Sequence, residues 1–296
     1  MSRCTLHIYP GYERSAIALT ALLNCESELI EIHTFPDGES RIQISPESAT
    51  AVVYVCLDHP NEKLINVIFA AQALRDSGAK RIILLCPYLC YMRQDKAFHQ
   101  GETISQQVIG ELLPQYFDRI ITVDPHLHRV SSIEDVFKSI EADALSATGQ
   151  IAEVIMADPI HAGAILVGPD NESKQWVSAV SRKTGLDFAT ATKIRNNDRD
   201  VIVTLPNTLD VLGRHAIIVD DVVSSGMTVR RCASLLLEAG ASSIDVITVH
   251  ALCSDEDLAL IRAAGVSRFQ SCDGILHTSN TISLAPLLAD SLQKEL

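Results

Sequence analysis

Two adjacent acids at the end of an apolar run are the strongest chemical signal in this chain. Asp220 and Asp221 follow the apolar residues 216–219, and a Ser-Ser-Gly turn then leads into a helix pattern that ends at Gly240. Such a turn directs backbone amides at the helix N-terminus toward an anion. The two carboxylates could accept ribose hydroxyls or bind hydrated Mg²⁺. The pattern fits a sugar phosphate, although an ordinary strand-to-helix turn with a Ser cap explains it about equally well.

Two segments of the first half could bind a metal ion or phosphates. Asp124 and His126 follow an apolar run and alternate onto one face of the chain, so they could offer an oxygen and an imidazole to one metal. The run Arg93–Lys96 follows another apolar run, and its Arg and Lys could hold phosphates. Taken alone, a hydrogen-bonded structural histidine and a solvated turn are the simpler explanations.

The turn between Phe35 and Glu39 could recognise a nucleobase. The ring of Phe35 could stack on a base, while the carboxylates of Asp37 and Glu39 could accept hydrogen bonds from an exocyclic amine or from hydroxyls. The central Pro-Asp-Gly sequence is also typical of a plain β-turn.

Two segments of the second half could bind a polyphosphate. Lys193 and Arg195 stand two residues apart, so both would point to one side of an extended chain. A polar run follows them, and a mobile cationic loop could close over a polyphosphate and stabilise developing charge. The run 168–173 precedes a predicted helix, and its amides could cradle a phosphate. A solvated charge run and a helix cap at Asp170 or Asn171 are the alternatives.

The elements that must position these residues alternate between strand-like and helix-like runs. The predicted strands are Thr5–Tyr9, Leu29–His33, Ala51–Cys56, Arg81–Cys86, Arg119–Val123, Gly163–Val167, Phe188–Ala191, His215–Val219, Ser243–Thr248 and Arg268–Gln270. The predicted helices are Glu62–Ser77, Ser105–Leu113, Ile151–Met156, Lys174–Thr184, Thr228–Ala239 and Glu256–Ala264. Near-continuous Val, Ile and Leu runs between helices predict parallel sheets covered on both faces. Ligands of such sheets bind beyond the carboxyl ends of the strands.

Length and composition bound the class of protein. A chain of 296 residues is long enough for two domains, and a boundary near Leu145 divides the predicted strands about evenly. We therefore expect an α/β protein with domains 1–145 and 146–296. The net charge of −13 and the pI near 5.1 argue against a broad nucleic-acid surface.

The cysteines and the hydropathy pattern indicate where the protein works. The eight cysteines lie mostly in apolar runs and form no CxxC pair, so we expect buried hydrophobic side chains rather than a disulfide framework. The sequence has no recognisable signal peptide and no apolar stretch of membrane-spanning length. We expect a cytoplasmic protein with no membrane or nucleic-acid partner.

The order of these segments resembles that of the ribose-phosphate pyrophosphokinase (phosphoribosyl pyrophosphate synthetase) family over nearly the whole chain. The stretch 220–228 resembles the ribose-5-phosphate loop of that family, although Met227 stands where a second glycine is common. The loop should tolerate Met227 if that residue has a negative φ. Asn171, Glu172 and Ser173 follow Asp170 where the family usually has small glycines.

The resemblance implies two phosphoribosyltransferase-like domains, each a mainly parallel sheet flanked by helices. Domain 1–145 would bind ATP, and domain 146–296 would bind ribose 5-phosphate. The implied reaction transfers the diphosphoryl group of ATP to the anomeric hydroxyl of ribose 5-phosphate and yields phosphoribosyl pyrophosphate and AMP. The implied cofactor is Mg²⁺. A homo-oligomer, at least a dimer, follows if the turn at Phe35 serves the site of a neighbouring subunit.

The resemblance also assigns roles to the residues that match the motifs of the family. The catalytic residues would be Lys193 and Arg195, and the metal ligands would be Asp124 and His126. The ATP-binding residues would be Phe35, Asp37, Glu39, Arg93, Gln94, Asp95 and Lys96. The ribose-5-phosphate-binding residues would be Asp170, Asp220, Asp221, Ser224, Ser225, Gly226, Met227 and Thr228.

Two alternative functions remain. A phosphoribosyltransferase would consume the activated sugar and would not need ATP. A non-catalytic regulatory relative would bind a nucleotide or a catalytic partner without releasing AMP, and the altered run 171–173 is its best support.

Overall fold

The computed structural model describes residues 4–45, 49–127, 129–197, 200–206 and 209–295, and the side chains of residues 193–203 lie outside this description. Contacts divide the chain into two units. The first unit is Met1–Leu145 together with Leu284–Leu296, and the second unit is Ser146–Ser283.

The first unit contains a six-stranded parallel sheet and a separate hairpin. Its strands are β1 (Cys4–Ile8), β2 (Glu26–Leu29), β3 (Glu31–Thr34), β4 (Ser40–Gln43), β5 (Thr50–Tyr54), β6 (Arg81–Leu85), β7 (Arg119–Val123) and β8 (Glu141–Leu145). Its helices before residue 145 are α1 (Glu13–Leu23), α2 (Pro60–Asp76) and α3 (Ser105–Leu112). The sheet order is β2-β1-β5-β6-β7-β8, with every pairing parallel, and β3 and β4 form the antiparallel hairpin.

The second unit repeats this plan. Its strands are β9 (Ile165–Gly168), β10 (Asp187–Thr190), β11 (Thr192–Asn197), β12 (Asp200–Thr204), β13 (His215–Val223), β14 (Ser243–Ala251), β15 (Arg268–Cys272) and β16 (Asn280–Ile282). Its helices are α4 (Thr148–Ala157), α5 (Lys174–Thr184), α6 (Met227–Glu238) and α7 (Asp255–Ala263). Six strands form a parallel sheet in the order β10-β9-β13-β14-β15-β16, and β11 pairs with β12 as an antiparallel hairpin. With the hairpins set aside, the two sheets have the same strand order.

The last helix, α8 (Ala285–Leu292), belongs to the first unit. It packs against α1, and the carboxylate of Glu295 lies 2.8 Å from Arg81 Nε and 3.0 Å from Arg119 Nη1. The predicted second domain extended to residue 296, whereas these contacts place the chain beyond Ser283 with the first unit.

Buried strands explain why the sequence shows apolar runs rather than alternation. In β7 every residue is buried, and in β5 and β6 only the first residue is not. Helices cover such sheets on both faces, so neither face needs polar side chains. The prediction of an α/β protein with two mainly parallel sheets flanked by helices is therefore confirmed.

Several predicted elements need correction. The predicted strand Leu29–His33 straddles the junction of β2 and β3, and the polar run 196–200, expected to be mobile, begins in the last two residues of β11 and ends at the first residue of β12. Seven α-helices and strands of the described residues were not predicted, and these are α1, β4, β8, β11, β12, β16 and α8. Most of these are short or half-exposed, so their apolar periodicity is weak.

Two expectations from composition can be compared with the structure. All eight cysteines are free thiols, and all but Cys25 are buried, as predicted. Among the described residues, none of the helices combines the length and the apolar character that crossing a membrane requires.

Candidate functional site

Carboxylates cluster at the carboxyl edge of the sheet in the second unit. Asp220 and Asp221 lie within β13, which continues to Val223 rather than ending at residue 219. Asp170 follows the neighbouring strand β9. Burial and the nearby carboxylates of Asp221 and Asp170 raise the pKa of Asp220 well above its ordinary value. Like charges in a buried place are costly, so this edge favours a cation or strong hydrogen-bond donors.

Asp170 also organises the start of α5. Its Oδ1 accepts hydrogen bonds from the backbone N–H groups of Glu172 at 3.0 Å and of Ser173 at 3.3 Å. The hydroxyl of Ser173 donates to the Asp170 carbonyl at 2.6 Å. A Cβ at Gly168 would lie 2.4 Å from Ser173 Oγ, so only glycine fits there. These contacts form a turn ahead of α5, whose N-cap is Ser173, so the alternative of a helix cap at Asp170 or Asn171 is wrong, and the charge of Asp170 also acts on Asp220.

The loop 224–228 turns into α6 without a side-chain cap. Gly226 has φ +65°, and a Cβ on it would lie 2.5 Å from Ile261 Cδ1. Met227 is the first helical residue and is not among the described non-glycine residues with positive φ, so it replaces the common second glycine without backbone strain. Because no side chain caps this helix, the first-turn amides remain suited to an anion.

The proposed catalytic cations lie on the hairpin of the second unit. Lys193 and Arg195 belong to β11 and pair with Val203 and Val201 of β12. Their side chains lie outside the described residues, so their role stays a prediction.

In the first unit, two helices hold the turn that follows β6. Tyr91 has φ +62°, and its hydroxyl donates to Asn61 Oδ1 in the first turn of α2. The buried Gln106 at the start of α3 donates its Nε2 to the Met92 carbonyl at 3.3 Å and its backbone N–H to the Gln94 carbonyl at 3.2 Å. The backbone from which the predicted ATP-binding side chains extend is therefore fixed at several points.

The side chains of that segment differ in exposure. Arg93 is exposed, and Lys96 is half-buried with its Nζ 4.6 Å from the ring centroid of Phe98. The Asp95 side chain is 1% exposed, and its Oδ1 lies 2.5 Å from Arg129 Nη1. Arg93 and Lys96 are thus suited to bind phosphates, whereas Asp95 is paired with Arg129 of the same chain.

The predicted metal ligands, Asp124 and His126, follow β7, the strand next to β6 in the sheet. Asp124 follows β7 directly, is 7% exposed and has φ +39°, and its backbone N–H donates to the Leu145 carbonyl at 2.8 Å. His126 is half-buried in the same loop. The Val123 N–H donates to the Pro87 carbonyl at 3.0 Å, which ties the end of β7 to the segment after β6.

The predicted adenine-recognition turn is the tip of the β3–β4 hairpin. The Phe35 N–H donates to the Glu39 carbonyl at 2.8 Å, and the Glu39 N–H donates to Asp37 Oδ1 at 3.1 Å. The Phe35 ring is 40% exposed and packs edge-on against His33. The hairpin packs on α2 and is not part of the six-stranded sheet. The segment is a β-turn that presents an aromatic ring.

Sequence reasoning missed an ionic cluster at the carboxyl edge of the first unit. Lys63 Nζ lies 2.7 Å from Asp58 Oδ1, and it donates to the Tyr12 hydroxyl at 2.8 Å and to the Cys56 carbonyl at 3.1 Å. The Tyr12 hydroxyl donates to the same Asp58 oxygen at 2.7 Å. The order Asp58 to Lys63 across a strand end and a first helical turn was a signal for this pair.

A second missed cluster lies at the amino edge of the second unit. Asp245 Oδ2 is 3.1 Å from His161 Nε2, 3.2 Å from His215 Nε2 and 2.6 Å from Arg268 Nη2. The two imidazoles and the carboxylate are close enough to hold a metal ion. However, the Arg268 guanidinium already provides a cation to Asp245 and lies 2.8 Å from His161 Nε2. The cluster is an ion-pair network on the edge opposite the predicted site.

Models of known protein families match parts of both units. A model described as the N-terminal domain of ribose phosphate pyrophosphokinase matches residues 12–116, and a phosphoribosyl transferase domain model matches residues 138–268. A ribose-phosphate pyrophosphokinase of Methanothermobacter thermautotrophicus is 33% identical over 269 residues, which covers 89% of this chain and 91% of the relative. The enzyme of that name from Methanosarcina acetivorans is 30% identical and covers 96% of this chain and 98% of the relative.

A solved structure supports the fold. The crystal structure of phosphoribosylpyrophosphate synthetase from Mycobacterium smegmatis superposes with a TM-score of 0.83 at 22% identity and covers 98% of both chains.

Proposed function

We propose a function from one premise, which is that the chain belongs to the ribose-phosphate pyrophosphokinase family. The protein transfers the diphosphoryl group of ATP to the anomeric hydroxyl of ribose 5-phosphate and yields phosphoribosyl pyrophosphate and AMP. The observation that carries this proposal is a contrast between two sheets of the same strand order. The first presents Arg93 and Lys96 at its carboxyl edge, and the second presents buried carboxylates beside an uncapped helix start. Two such edges suit two different phosphorylated substrates.

The first unit binds ATP. The exposed guanidinium of Arg93 and the ammonium of Lys96 bind the phosphates, and the Gln94 amide supplies a neutral hydrogen-bonding group. Phe35, Asp37 and Glu39 surround the adenine of a neighbouring subunit, which makes the protein a homo-oligomer of at least two chains. The exposed ring at the hairpin tip supports this assignment.

The second unit binds ribose 5-phosphate. Asp220 and Asp221 accept hydrogen bonds from the ribose hydroxyls, and Asp170 lies beside them. Residues 224–228 hold the 5-phosphate with backbone amides and with the hydroxyls of Ser224, Ser225 and Thr228. The uncapped start of α6 supports this assignment.

The chemical step needs positioning and charge stabilisation more than a strong base. The anomeric oxygen forms a bond to the β-phosphorus of ATP while the bond to the α-phosphate oxygen breaks, and AMP leaves. Negative charge spreads over the transferring group, and Lys193 and Arg195 stabilise it. The proton of the anomeric hydroxyl passes to a phosphate oxygen or to water.

The residues of the chain fit a hard divalent cation such as Mg²⁺. Asp124 offers a carboxylate directly after a strand, and the raised pKa of Asp220 indicates an edge where added positive charge is favourable. Asp124 would bind Mg²⁺ directly, and His126 would bind through water because imidazole is an unusual direct ligand for this ion. When bound, Mg²⁺ neutralises and orients the phosphates.

One assay tests the proposed function. ATP, Mg²⁺ and ribose 5-phosphate are incubated with the protein, and all products are resolved by ion-exchange chromatography. We expect equal amounts of AMP and phosphoribosyl pyrophosphate, and no AMP without the sugar phosphate. ATP binding without AMP release would identify a non-catalytic relative. In a parallel incubation without ATP, release of pyrophosphate from added phosphoribosyl pyrophosphate and a nucleobase would identify a phosphoribosyltransferase. We also propose a cytoplasmic location, which the eight free thiols support.

A further inference from the structure

An ion pair joins the two loops that follow β6 and β7. Arg129 lies in the loop that begins at Asp124, and its Nη1 is 2.5 Å from Oδ1 of Asp95, in the segment after β6. Both loops belong to the first unit. The pair therefore connects the segment proposed to hold ATP with the loop proposed to hold the metal ion.

The two partners differ sharply in exposure. The Asp95 side chain is 1% exposed, whereas the Arg129 side chain is 48% exposed. The other carboxylate oxygen, Asp95 Oδ2, is buried and has no hydrogen-bond partner within the part of the chain that the structure describes. A carboxylate removed from water is costly unless a cation compensates it. Arg129 supplies that compensation from outside the segment.

The segment does not need this pair to keep its turn. Tyr91 is held by Asn61, and Gln106 binds the carbonyls of Met92 and Gln94. These contacts fix the start and middle of the segment to α2 and α3. The Asp95 pair adds the link to the loop after β7.

We propose that Arg129 is a positioning residue for ATP, which acts through Asp95. Asp95 stands between the phosphate-binding candidates Gln94 and Lys96, so the pair with Arg129 sets where the backbone under both of them lies. Asp95 then serves by holding the segment against the loop of Asp124, rather than by contacting ATP. The inference rests on the proposed function because that function gives the segment its ligand.

The test uses four variants of the full chain. Arg129→Met removes the charge and keeps the length of the side chain, Arg129→Lys keeps the charge, and Asp95→Asn removes the carboxylate charge. The double variant Asp95→Asn/Arg129→Met completes a double-mutant cycle, which isolates the contribution of the interaction between the two side chains. The readouts are the KM of each substrate, the equilibrium Kd for ATP without ribose 5-phosphate by calorimetry, and the thermal midpoint.

We expect Arg129→Met to raise the KM and the Kd for ATP on the order of tenfold, and to change the KM for ribose 5-phosphate by less than about twofold. Arg129→Lys should restore most of the ATP affinity because only one nitrogen of the guanidinium makes the contact. The double variant should bind ATP about as weakly as Asp95→Asn alone.

Arg75→Met is the matched control. Arg75 is also partly exposed and pairs with an aspartate, Asp118, at 2.8 Å, but beside the amino end of β7. Its loss should leave both substrate constants within about twofold of the wild type.

Three results would overturn the inference. The first is an unchanged Kd for ATP in Arg129→Met, and the second is an equal rise of both KM values with a lowered thermal midpoint. The third is a wild-type affinity for ATP in Asp95→Asn. If Arg129→Met does not fold, the ATP affinities of Asp95→Asn and Arg129→Lys test the inference. A wild-type protein that binds ATP but releases no AMP would contradict the proposed function, while the ATP affinities of the variants would still test the pair.

Discussion

The carboxyl edges of the two sheets carry carboxylates in opposite electrostatic states. In the first unit, Asp58 follows β5 and is bound by the ammonium of Lys63 and the hydroxyl of Tyr12, both at 2.7 Å. In the second unit, Asp220 lies within β13, the strand with the same place in the sheet order. There the nearby carboxylates and burial raise the pKa of Asp220 instead.

This difference separates an acid that is neutralised within its own unit from an acid that is left for a ligand. In the first unit, the ammonium of Lys63 neutralises the carboxylate of Asp58, so Asp58 needs no ligand. In the second unit, burial and the carboxylates of Asp221 and Asp170 act on Asp220, and a substrate or metal ion can relieve the repulsion. Equivalent strands of a duplicated fold can thus carry an acid that binds a ligand in one copy and an acid in a structural ion pair in the other.

The largest expected effect tests whether the second unit also supplies the charge that the reaction needs. Lys193→Ala should lower kcat on the order of 10²-fold because it removes a preorganised stabiliser of transition-state charge. Steady-state AMP release at saturating ATP and ribose 5-phosphate measures it. Lys183→Ala, at an exposed lysine in the last turn of α5, is the control and should keep wild-type kcat. An unchanged kcat in Lys193→Ala would remove this residue from the mechanism.

The next effect tests the comparison directly with two matched substitutions. Asp220→Asn should lower kcat/KM for ribose 5-phosphate at least about tenfold, because a hydrogen bond to a charged group contributes about 1.5–3 kcal/mol. It should also stabilise the free protein by about 0.5–2 kcal/mol because one of the clustered charges disappears. Urea unfolding without substrates measures the stability.

Asp58→Asn should do the opposite. Lys63 loses its charged partner, so the free energy of unfolding should fall by about 1–3 kcal/mol, while kcat/KM for ribose 5-phosphate stays within about twofold. If both variants lose stability and sugar-phosphate affinity alike, the distinction between the neutralised Asp58 and the ligand-binding Asp220 is wrong.

A smaller effect tests whether the ATP-binding edge is completed by another molecule. Phe35→Ala should raise the KM for ATP by about 2–10-fold, since aromatic stacking contributes about 0.5–1.5 kcal/mol. Phe35→Ala and Arg93→Ala chains are then unfolded, mixed and refolded together. If Phe35 serves a neighbouring subunit, some mixed sites regain both residues, and activity at low ATP exceeds the mean of the two pure variants. Activity equal to that mean would place Phe35 in its own subunit's site or in none.

The smallest effect concerns the amino edge of the second unit. Burial alone would raise the pKa of Asp245, but hydrogen bonds from His215, Arg268 and His161 outweigh it and hold the pKa below its ordinary value. The folded protein therefore binds this proton more weakly than the unfolded chain. Its contribution to stability is complete above the ordinary Asp pKa of about 3.9 and is lost as the pH falls through the lower folded value.

Asp245→Asn should remove the part of the acid-induced loss of stability that comes from protonation of Asp245. Between about pH 4 and pH 2, the free energy of unfolding of the wild type should fall more steeply than that of the variant, by up to about 1.4 kcal/mol per pH unit. Asp220, with its raised pKa, has the reverse sign, so its contribution is favourable at low pH and is lost as the pH rises above about 3.9. Urea unfolding across this range measures both, and identical acid slopes for Asp245→Asn and the wild type would contradict the assignment.

The fold was predictable where local pattern is strong. The apolar runs at β5, β6, β7 and β13 identified buried parallel strands, and the helix Lys174–Thr184 has the predicted bounds. The strand Glu141–Leu145 escaped prediction because only Ala142 is buried, so its sequence lacks the apolar run of a central strand. Helix α8 escaped because its place depends on packing against α1, which lies far away in the sequence.

The candidate site was predictable as segments but not as contacts. The order of the motifs gave the positions of Arg93 and Asp124 after β6 and β7, whereas Asp220 lies within β13, which continues beyond the predicted end at Val219. It assigned Asp95 to ATP, whereas the structure shows a buried side chain paired with Arg129. It also missed the pair of Lys63 with Asp58, because exposed turns and ion pairs have similar compositions.

The sequence by itself determined which residues are apolar, where strands end, and therefore which polar groups stand at an edge. Only the tertiary structure decided which of the acids at those edges is neutralised by a cation of its own unit. The pair of Asp58 with Lys63 is local, but Tyr12, which also binds Asp58, and Asp170, which acts on Asp220, are distant from these acids in the chain. Electrostatic energy depends on distance and burial, and neither quantity can be read from the spacing of residues along the chain.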